Sequence, residues 1–173
     1  NFYPFRSRYA VMGGFNRKQI VGDRDLDQLI KKEHSIAYRV TKEEAIEEAN
    51  MVIESLGDYR IGYPVAFDME LIENDTARTD ILTKAEKTEI AKAFLDTVAA
   101  AGYKTIIYGN KEWLIKEIDM SKLTAYDVWL SQAADIPDYP YKFAMWQYSF
   151  EGFVDGITGY VNMNISFVNY SEK

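Results

Sequence analysis

Two stretches of the chain carry apolar residues at helical spacing behind a capping sequence. The first begins with Thr41 and Glu44, and the second with Thr83 and Glu86. In each pair the hydroxyl and the carboxylate three residues later can close the first turn of a helix. The apolar positions that follow recur every three or four residues, which predicts one buried face per helix. These positions are Ala45, Ala49, Val52, Ile53 and Leu56 in the first helix and Ile90, Ala91, Phe94 and Val98 in the second.

An apolar strand follows each predicted helix. We expect the helices to end at Gly57 and Gly102, because glycine readily adopts the left-handed conformation that terminates many helices. The strands then cover 63–68 and 105–108. This alternation of helix and strand is typical of a parallel sheet.

The pattern changes after Trp129, where helical periodicity stops. Two plain strands are predicted near 142–148 and 160–168. A regular eight-fold α/β barrel needs about 250 residues, whereas this chain has 173. We therefore expect residues 1–173 to form a single α/β domain, in which any barrel must be abbreviated.

The most informative polar residues are Asp68 and Glu70, at the end of the 63–68 strand. Residues two apart on a strand point to the same side, roughly 6–7 Å apart. Two carboxylates at that spacing suit chemistry in which one is held protonated and the other charged. Glycoside hydrolysis needs this arrangement. Taken alone, Asp-x-Glu is a weak signal, because such a pair is more often a solvated strand end.

Four further segments give this pair a context. They cover 102–110, 126–132, 143–149 and 154–164. In order and spacing, the five segments together resemble the family-25 glycoside hydrolases, the N-acetylmuramidase-type lysozymes that cut peptidoglycan. The resemblance covers roughly residues 36–170. It implies an irregular TIM-like (β/α)5(β)3 barrel, with helices around one half and bare strands on the other.

The resemblance also implies roles for individual residues. Glu70 matches the general acid of the family. Asp68 matches its partner, which orients the N-acetyl group of the substrate or stabilises charge. Five further positions match strand ends that line the saccharide groove, namely Tyr38, Tyr108, Trp129, Trp146 and Gln147.

Three departures from the family pattern concern the N-terminal part and one late motif. The first strand, with its Asp-x-Ser motif, is not found, and the Arg expected near the end of the second-strand-like segment 9–12, just before Gly13, is absent from that place. The late Val-Asp-Leu-Asn motif is changed so that Asn162 replaces an active-site Asp. Asparagine keeps the shape and an acceptor but loses the charge, so we expect an altered pKa at Glu70. Because the chain starts with Asn1, we also expect it to be a processed or excised segment.

Composition excludes several classes of partner and site. The net charge of −7 argues against binding to nucleic acid or an anionic membrane surface. No apolar run approaches 18 residues, so no membrane insertion is expected. The chain has no cysteine, which excludes a thiol nucleophile and a cysteine-based metal site. Its single histidine, His34, disfavours a histidine-rich zinc site and a histidine-dependent catalytic triad.

No cofactor and no metal are expected. Asp68, Glu70 and Asp75 could form a cation site, but hard cations take more oxygen ligands than this cluster supplies.

The function expected from the sequence is a muramidase-type lysozyme. It cleaves β-1,4 bonds between N-acetylmuramic acid and N-acetylglucosamine in peptidoglycan glycan strands, outside the cell or at the cell wall. The alternative is a catalytically impaired glycan-binding or scaffold domain, which belongs to a larger cell-wall or phage assembly or self-associates across an open barrel edge. A chitinase-type family-18 hydrolase is less compatible, because its motif needs Asp where this chain has Tyr63 and Ala66.

Overall fold

A computed structural model describes residues 40–59, 61–69, 79 and 81–170. Several predictions concern positions outside these ranges. They include the missing first strand, the Arg before Gly13, and the roles of Tyr38, Glu70 and Asp75.

Both predicted helices are present, with the predicted capping boxes. Helix α1 covers Lys42–Leu56 and helix α2 covers Lys84–Ala100. The side chain of Thr41 accepts from the backbone N–H of Glu44, whose carboxylate accepts from the N–H of Thr41 in return. Thr83 and Glu86 repeat the arrangement in α2. Each box satisfies two backbone donors that the first turn leaves without helical partners.

Glycines follow the two helices, as predicted. Gly57 caps α1 with φ of 50°, and its N–H donates to the carbonyl of Ile53 at 3.1 Å. Gly102 has φ of 90° and follows the last residues of α2. Positive φ is costly for residues with a Cβ, so these two positions favour glycine and turn the chain towards the next strand.

Five strands form one sheet in the order β1-β2-β3-β4-β5. The first three pairings are parallel, and β4 with β5 is antiparallel. The strands are β1 (Val65–Asp68), β2 (Thr105–Asn110), β3 (Asp127–Ser131), β4 (Met145–Gly152) and β5 (Val161–Ser166). As predicted, βα units give way to plain strands after β3; β4 is still parallel to β3, and only β5 runs antiparallel to its neighbour. Strand β4, however, begins and ends later than the predicted 142–148.

Two short irregular helices connect β2 to β3. Trp113–Glu117 forms a π-helical turn and Met120–Lys122 a 3₁₀ turn. Sequence periodicity does not identify either of them. The side chains of Trp113, Leu114, Ile118 and Leu123 are buried, so the connection contributes to the core.

The two faces of the sheet have different neighbours. Phe67, Ile107 and Leu130 belong to the larger core cluster, which includes the buried faces of α1 and α2. The alternate strand residues point the other way, and Trp129 and Met145 join a smaller cluster without helix residues. In the described part of the chain the helices therefore cover one face, and the second face is left for other contacts.

The fold is thus mixed α/β, with a five-stranded, curled half-barrel sheet, as the sequence predicted at this level. The complete (β/α)5(β)3 count and the single-domain assignment of residues 1–173 stay predictions. No helix in the described ranges is long and apolar enough to cross a membrane.

Candidate functional site

The strand register places three predicted site residues side by side on the face without helices. Asp68, the last residue of β1, pairs with Tyr108 of β2, and Tyr108 pairs with Trp129 of β3. Asp68 and Trp129 are buried, and Tyr108 is half-buried. The rings of Tyr108 and Trp129 meet edge to face, with centroids 4.9 Å apart. Asp68 ends β1, and the row lies towards the carboxyl ends of the parallel strands, where α/β barrels concentrate their functional groups.

A second row lies two residues further along the strands and on the same face. Asn110 pairs with Ser131, Ser131 with Gln147, and Gln147 with Asn164. All four side chains are neutral and carry hydroxyl or amide groups. Because four neighbouring strands each contribute one such side chain, the row forms a continuous hydrogen-bonding surface.

Gln147 is at the centre of this surface. Its Oε1 accepts from the Tyr108 hydroxyl at 2.8 Å and from Ser131 Oγ at 3.0 Å. The side chain is buried, and the two hydroxyls occupy both lone pairs of the amide oxygen. The amide nitrogen is therefore the group that Gln147 can offer to a ligand.

A second amide is oriented in a similar way. Trp129 Nε1 donates to Asn164 Oδ1 at 2.9 Å, and Asn164 Nδ2 donates to the carbonyl of Asn162 at 3.4 Å. The Trp129 bond runs from β3 to β5, so it ties the first row to the second.

A groove of about 500 Å³ opens beside this second row. Its lining consists of Tyr108, Asn110, Ser131, Gln132, Ala133, Gln147, Phe150 and Asn162. None of these lining side chains carries a charge. The groove is thus suited to a neutral ligand that offers both hydrogen-bonding groups and apolar surface.

Gln132 is held in the groove wall by several contacts. Its backbone N–H donates to the carbonyl of Gln147 at 3.1 Å, and its own carbonyl accepts from Trp146 Nε1 at 2.8 Å. Its side chain exchanges hydrogen bonds with Asp138, which also pairs with Lys111. Hydrogen bonds from Lys111 and Gln132 hold the pKa of the Asp138 carboxyl below its usual range, so this anchor stays charged at neutral pH.

A sequence model of the glycosyl hydrolases family 25 matches residues 30–157, which is more than half of the chain. This chain belongs to that family. The resemblance noted in the sequence is thereby confirmed.

Individual relatives support the assignment over part of their length. A protein of Streptococcus phage B30, named D-alanyl-L-alanine endopeptidase, is 34% identical over 98 residues. The match covers 55% of this chain and 20% of the phage protein. The family-25 chain therefore spans a fifth of the length of that relative.

Solved structures show the same fold. The CTP1L endolysin matches with a TM-score of 0.60 and 24% identity, over 76% of this chain and 45% of that one. The modular autolysin LytC from Streptococcus pneumoniae matches with a TM-score of 0.59 and 20% identity, over 73% and 31% of the respective chains. At identities this low, the similarity shows that this family-25 chain shares the fold of these proteins and nothing further.

The structure brings most of the described predicted residues together. Tyr108, Gln147 and Asn162 line the groove, while Asp68 and Trp129 lie beside Tyr108 in the first row. The catalytic and binding roles of these residues stay predictions, and Glu70 and Tyr38 are outside the described residues.

Trp146 does not join this group. It directly precedes Gln147 on β4, so its side chain points to the opposite face. There it pairs with Leu130 and packs against the helix-side core. Its indole N–H reaches the carbonyl of Gln132, so its contact with the groove is indirect.

Six residues of the site were not singled out from the sequence. They are Asn110, Ser131, Gln132, Ala133, Phe150 and Asn164. A signal existed for two of them, because Asn110 and Ser131 lie two positions after Tyr108 and Trp129 and so share their face. Among the described residues, no group of three His, Cys, Asp or Glu is placed to hold a metal ion.

Proposed function

We propose that this family-25 chain is a peptidoglycan-cleaving glycoside hydrolase of the muramidase type. It cleaves β-1,4 bonds between N-acetylmuramic acid and N-acetylglucosamine, outside the cell or at the cell wall. The observation that carries the proposal is the position of Asp68, at the carboxyl end of β1 and in register with Tyr108. Tyr108 in turn lines a groove whose polar side chains are neutral.

The proposed mechanism divides the work between two carboxyl groups. Glu70 protonates the glycosidic oxygen as the leaving group departs and then activates water. Asp68, which is buried, supports the acetamido group or the positive charge that develops at the sugar carbon. A buried carboxylate acts strongly on a nearby charge because little water screens it.

The groove side chains have positioning roles in this mechanism. The amide nitrogen of Gln147 donates to a sugar hydroxyl or acetamido oxygen, and Asn162 offers a neutral amide on the opposite strand. Holding the sugar in one orientation converts binding energy into rate. Neutral polar side chains suit this task, because N-acetylglucosamine is itself uncharged.

Names of structural relatives agree with this proposal. The similar folds belong to proteins named an endolysin and an autolysin. By analogy, the substrate proposed for this chain is the bacterial cell wall, and its binding partner is the glycan strand of peptidoglycan.

A second candidate function is a glycan-binding or scaffold domain with impaired catalysis. The observation that favours it is Asn162, which lies in the groove where the family motif has an Asp, among lining residues that include no carboxylate. Loss of that charge weakens electrostatic support for an oxocarbenium-like centre.

Release of reducing ends from purified peptidoglycan separates the two candidates. We expect release by the native chain and by Glu47→Gln, a control on the exposed side of α1, and none by Glu70→Gln. Asn162→Asp should raise the rate if the missing charge limits catalysis. If all four folded proteins bind glycan without releasing ends, the binding domain is the better description.

A further inference from the structure

Large exposed apolar side chains concentrate in one part of the described chain. Of thirteen such residues, seven lie between positions 150 and 167, in or near the β4–β5 hairpin. Phe153 is 76% exposed, Tyr160 64% and Phe150 48%. We call these three residues the aromatic hairpin surface. Contiguous exposed apolar surface of this kind marks interaction sites on proteins.

The hairpin that carries this surface has a defined conformation. Gly152 and Val161 are the last paired residues before the turn. Within the turn, the N–H of Ile157 donates to the carbonyl of Val154 at 3.0 Å. The rings of Phe153 and Tyr160 meet across the turn at 5.0 Å between centroids, with 64° between their planes. The aromatic groups are therefore presented as a fixed pair.

The aromatic hairpin surface is continuous with the groove. Phe150 belongs to both, and Asn162, two residues after Tyr160, also lines the groove. A ligand that extends from the groove along this hairpin meets Phe150 first, and the Phe153–Tyr160 pair lies further along the same hairpin. Continuity of this kind favours one elongated ligand.

Charge restricts what that ligand can be. Between positions 143 and 170 the sequence contains no lysine or arginine, and the charged residues of the hairpin are Glu151 and Asp155. An anionic membrane surface needs basic residues for attraction, so the hairpin does not fit that partner. Neutral sugar rings offer apolar C–H faces, which aromatic rings cover without a need for counter-charges.

We propose that Phe150, Phe153 and Tyr160 form an additional saccharide-binding surface that extends the groove and holds neutral N-acetylated sugar rings of the glycan strand by their C–H faces. This proposal rests on the proposed function for its ligand class. It does not depend on catalysis, because a chain that binds without cleaving would use the same surface.

The test is the dependence of affinity on ligand length. Oligomers of N-acetylglucosamine with two and six rings are titrated calorimetrically against the full native chain and against the double variant Phe153→Ala/Tyr160→Ala. We expect the six-ring oligomer to bind the native chain more tightly than the two-ring oligomer. The double variant should lose about tenfold in affinity for six rings and retain its affinity for two. Tyr59→Ala, a 59% exposed aromatic beyond α1, is the matched control and should leave both affinities unchanged.

Other occupants of the surface give different results and would overturn the proposal. An affinity that the double variant leaves unchanged, together with a lower unfolding midpoint, indicates that another part of this chain covers the hairpin. The same unchanged affinity with loss of a dimer in sedimentation indicates a second copy. Failure of the proposed cleavage is separate, since it appears as absent reducing-end release while the length dependence of binding persists.

Discussion

The hydroxyl of Tyr108 donates a 2.8 Å hydrogen bond to Oε1 of Gln147, although the two residues lie on strands that are not neighbours. Strand β3 runs between them, and its Ser131 donates to the same oxygen. One amide thus joins the side chains of three strands. Trp129 and Asn164 make a comparable connection from β3 to β5 across β4. These cross-strand bonds fix the orientation of the amides before any ligand arrives, which lowers the entropic cost of binding.

Removal of the Tyr108 hydroxyl is the first prediction. Tyr108→Phe keeps the ring against Trp129 but leaves Gln147 Oε1 with one hydroxyl donor. We expect affinity for N-acetylglucosamine oligomers to fall about twofold to tenfold, since a single hydrogen bond contributes about 0.5–1.5 kcal/mol. The measurement is calorimetric titration.

Tyr103→Phe serves as the control for this prediction. The hydroxyl of Tyr103 makes only a long 3.4 Å bond to the carbonyl of Gly57, far from the groove in the fold. Equal affinities of Tyr108→Phe and Tyr103→Phe would show that the orientation of Gln147 has no part in binding.

A glycine beneath the site gives the second prediction. A Cβ on Gly109 would lie 2.8 Å from a ring carbon of Trp113 and 3.3 Å from Leu114 Cγ, and both side chains are buried. Gly109→Ala should therefore destabilise the fold by about 1–3 kcal/mol, as overpacking does. Because Gly109 lies between Tyr108 and Asn110, we also expect weaker glycan binding.

Gly62→Ala is the matched control, because a Cβ there meets nothing within 4 Å. Urea unfolding of both variants makes the comparison. If the two midpoints shift by the same amount, the contact with Trp113 does not explain the glycine at position 109.

The sequence predicts the regular elements well, because their signals are local. The two Thr–Glu capping boxes, the apolar helix faces and the following glycines all act within a few residues, and α1 and α2 form where these signals place them. The π-helical turn at Trp113–Glu117 is different. Its buried Trp113 packs against Gly109, and a contact of that kind between elements leaves no periodic pattern.

The site is predicted only in part, for reasons that particular residues illustrate. Trp146 and Gln147 are consecutive on a strand, so strand alternation excludes that both face the groove, although the family resemblance suggests both. Strand β4 runs past its predicted end because its pairing with β5 continues to Gly152. Two register shifts between Gln147 and Gly152 break the alternation from which a strand is predicted. The hydrogen bonds between Gln132 and Asp138 depend on how the intervening loop folds back. No local sequence pattern predicts that loop conformation.

A buried lysine gives the third prediction. Lys87 of α2 is only 4% exposed at its side chain, and its Nζ lies 2.6 Å from Glu117 Oε2. Lys87→Met removes the cation and leaves a carboxylate that is 33% exposed without this partner. We expect the free energy of unfolding to fall by about 1–3 kcal/mol. This loss is smaller than the loss on breaking a fully buried ion pair, because water reaches the carboxylate of Glu117.

Lys116→Met provides the contrast for Lys87→Met. Lys116 pairs with Glu112 one turn away, and both side chains are mostly exposed. Exposed pairs contribute little, so this variant should unfold close to the native midpoint. A greater loss in Lys116→Met than in Lys87→Met would contradict the argument from burial.

The fourth prediction concerns alkaline pH and the contact between Tyr126 and Asp96. Burial, a hydrogen bond with Asp96 and the charge of that carboxylate raise the pKa of Tyr126 to about 12, from an ordinary value near 10. A raised folded-state pKa contributes stability that is complete below the unfolded pKa and is lost as pH rises through the folded one. The contribution of the Tyr126–Asp96 pair to the free energy of unfolding should therefore be constant up to about pH 9 and decline between about pH 10 and 12.

A double-mutant cycle of Tyr126→Phe and Asp96→Asn, measured by chemical unfolding across this pH range, isolates the pair from other groups that titrate there. A coupling energy that is the same from pH 8 to pH 12 would show that the contact with Asp96 does not raise the pKa of Tyr126.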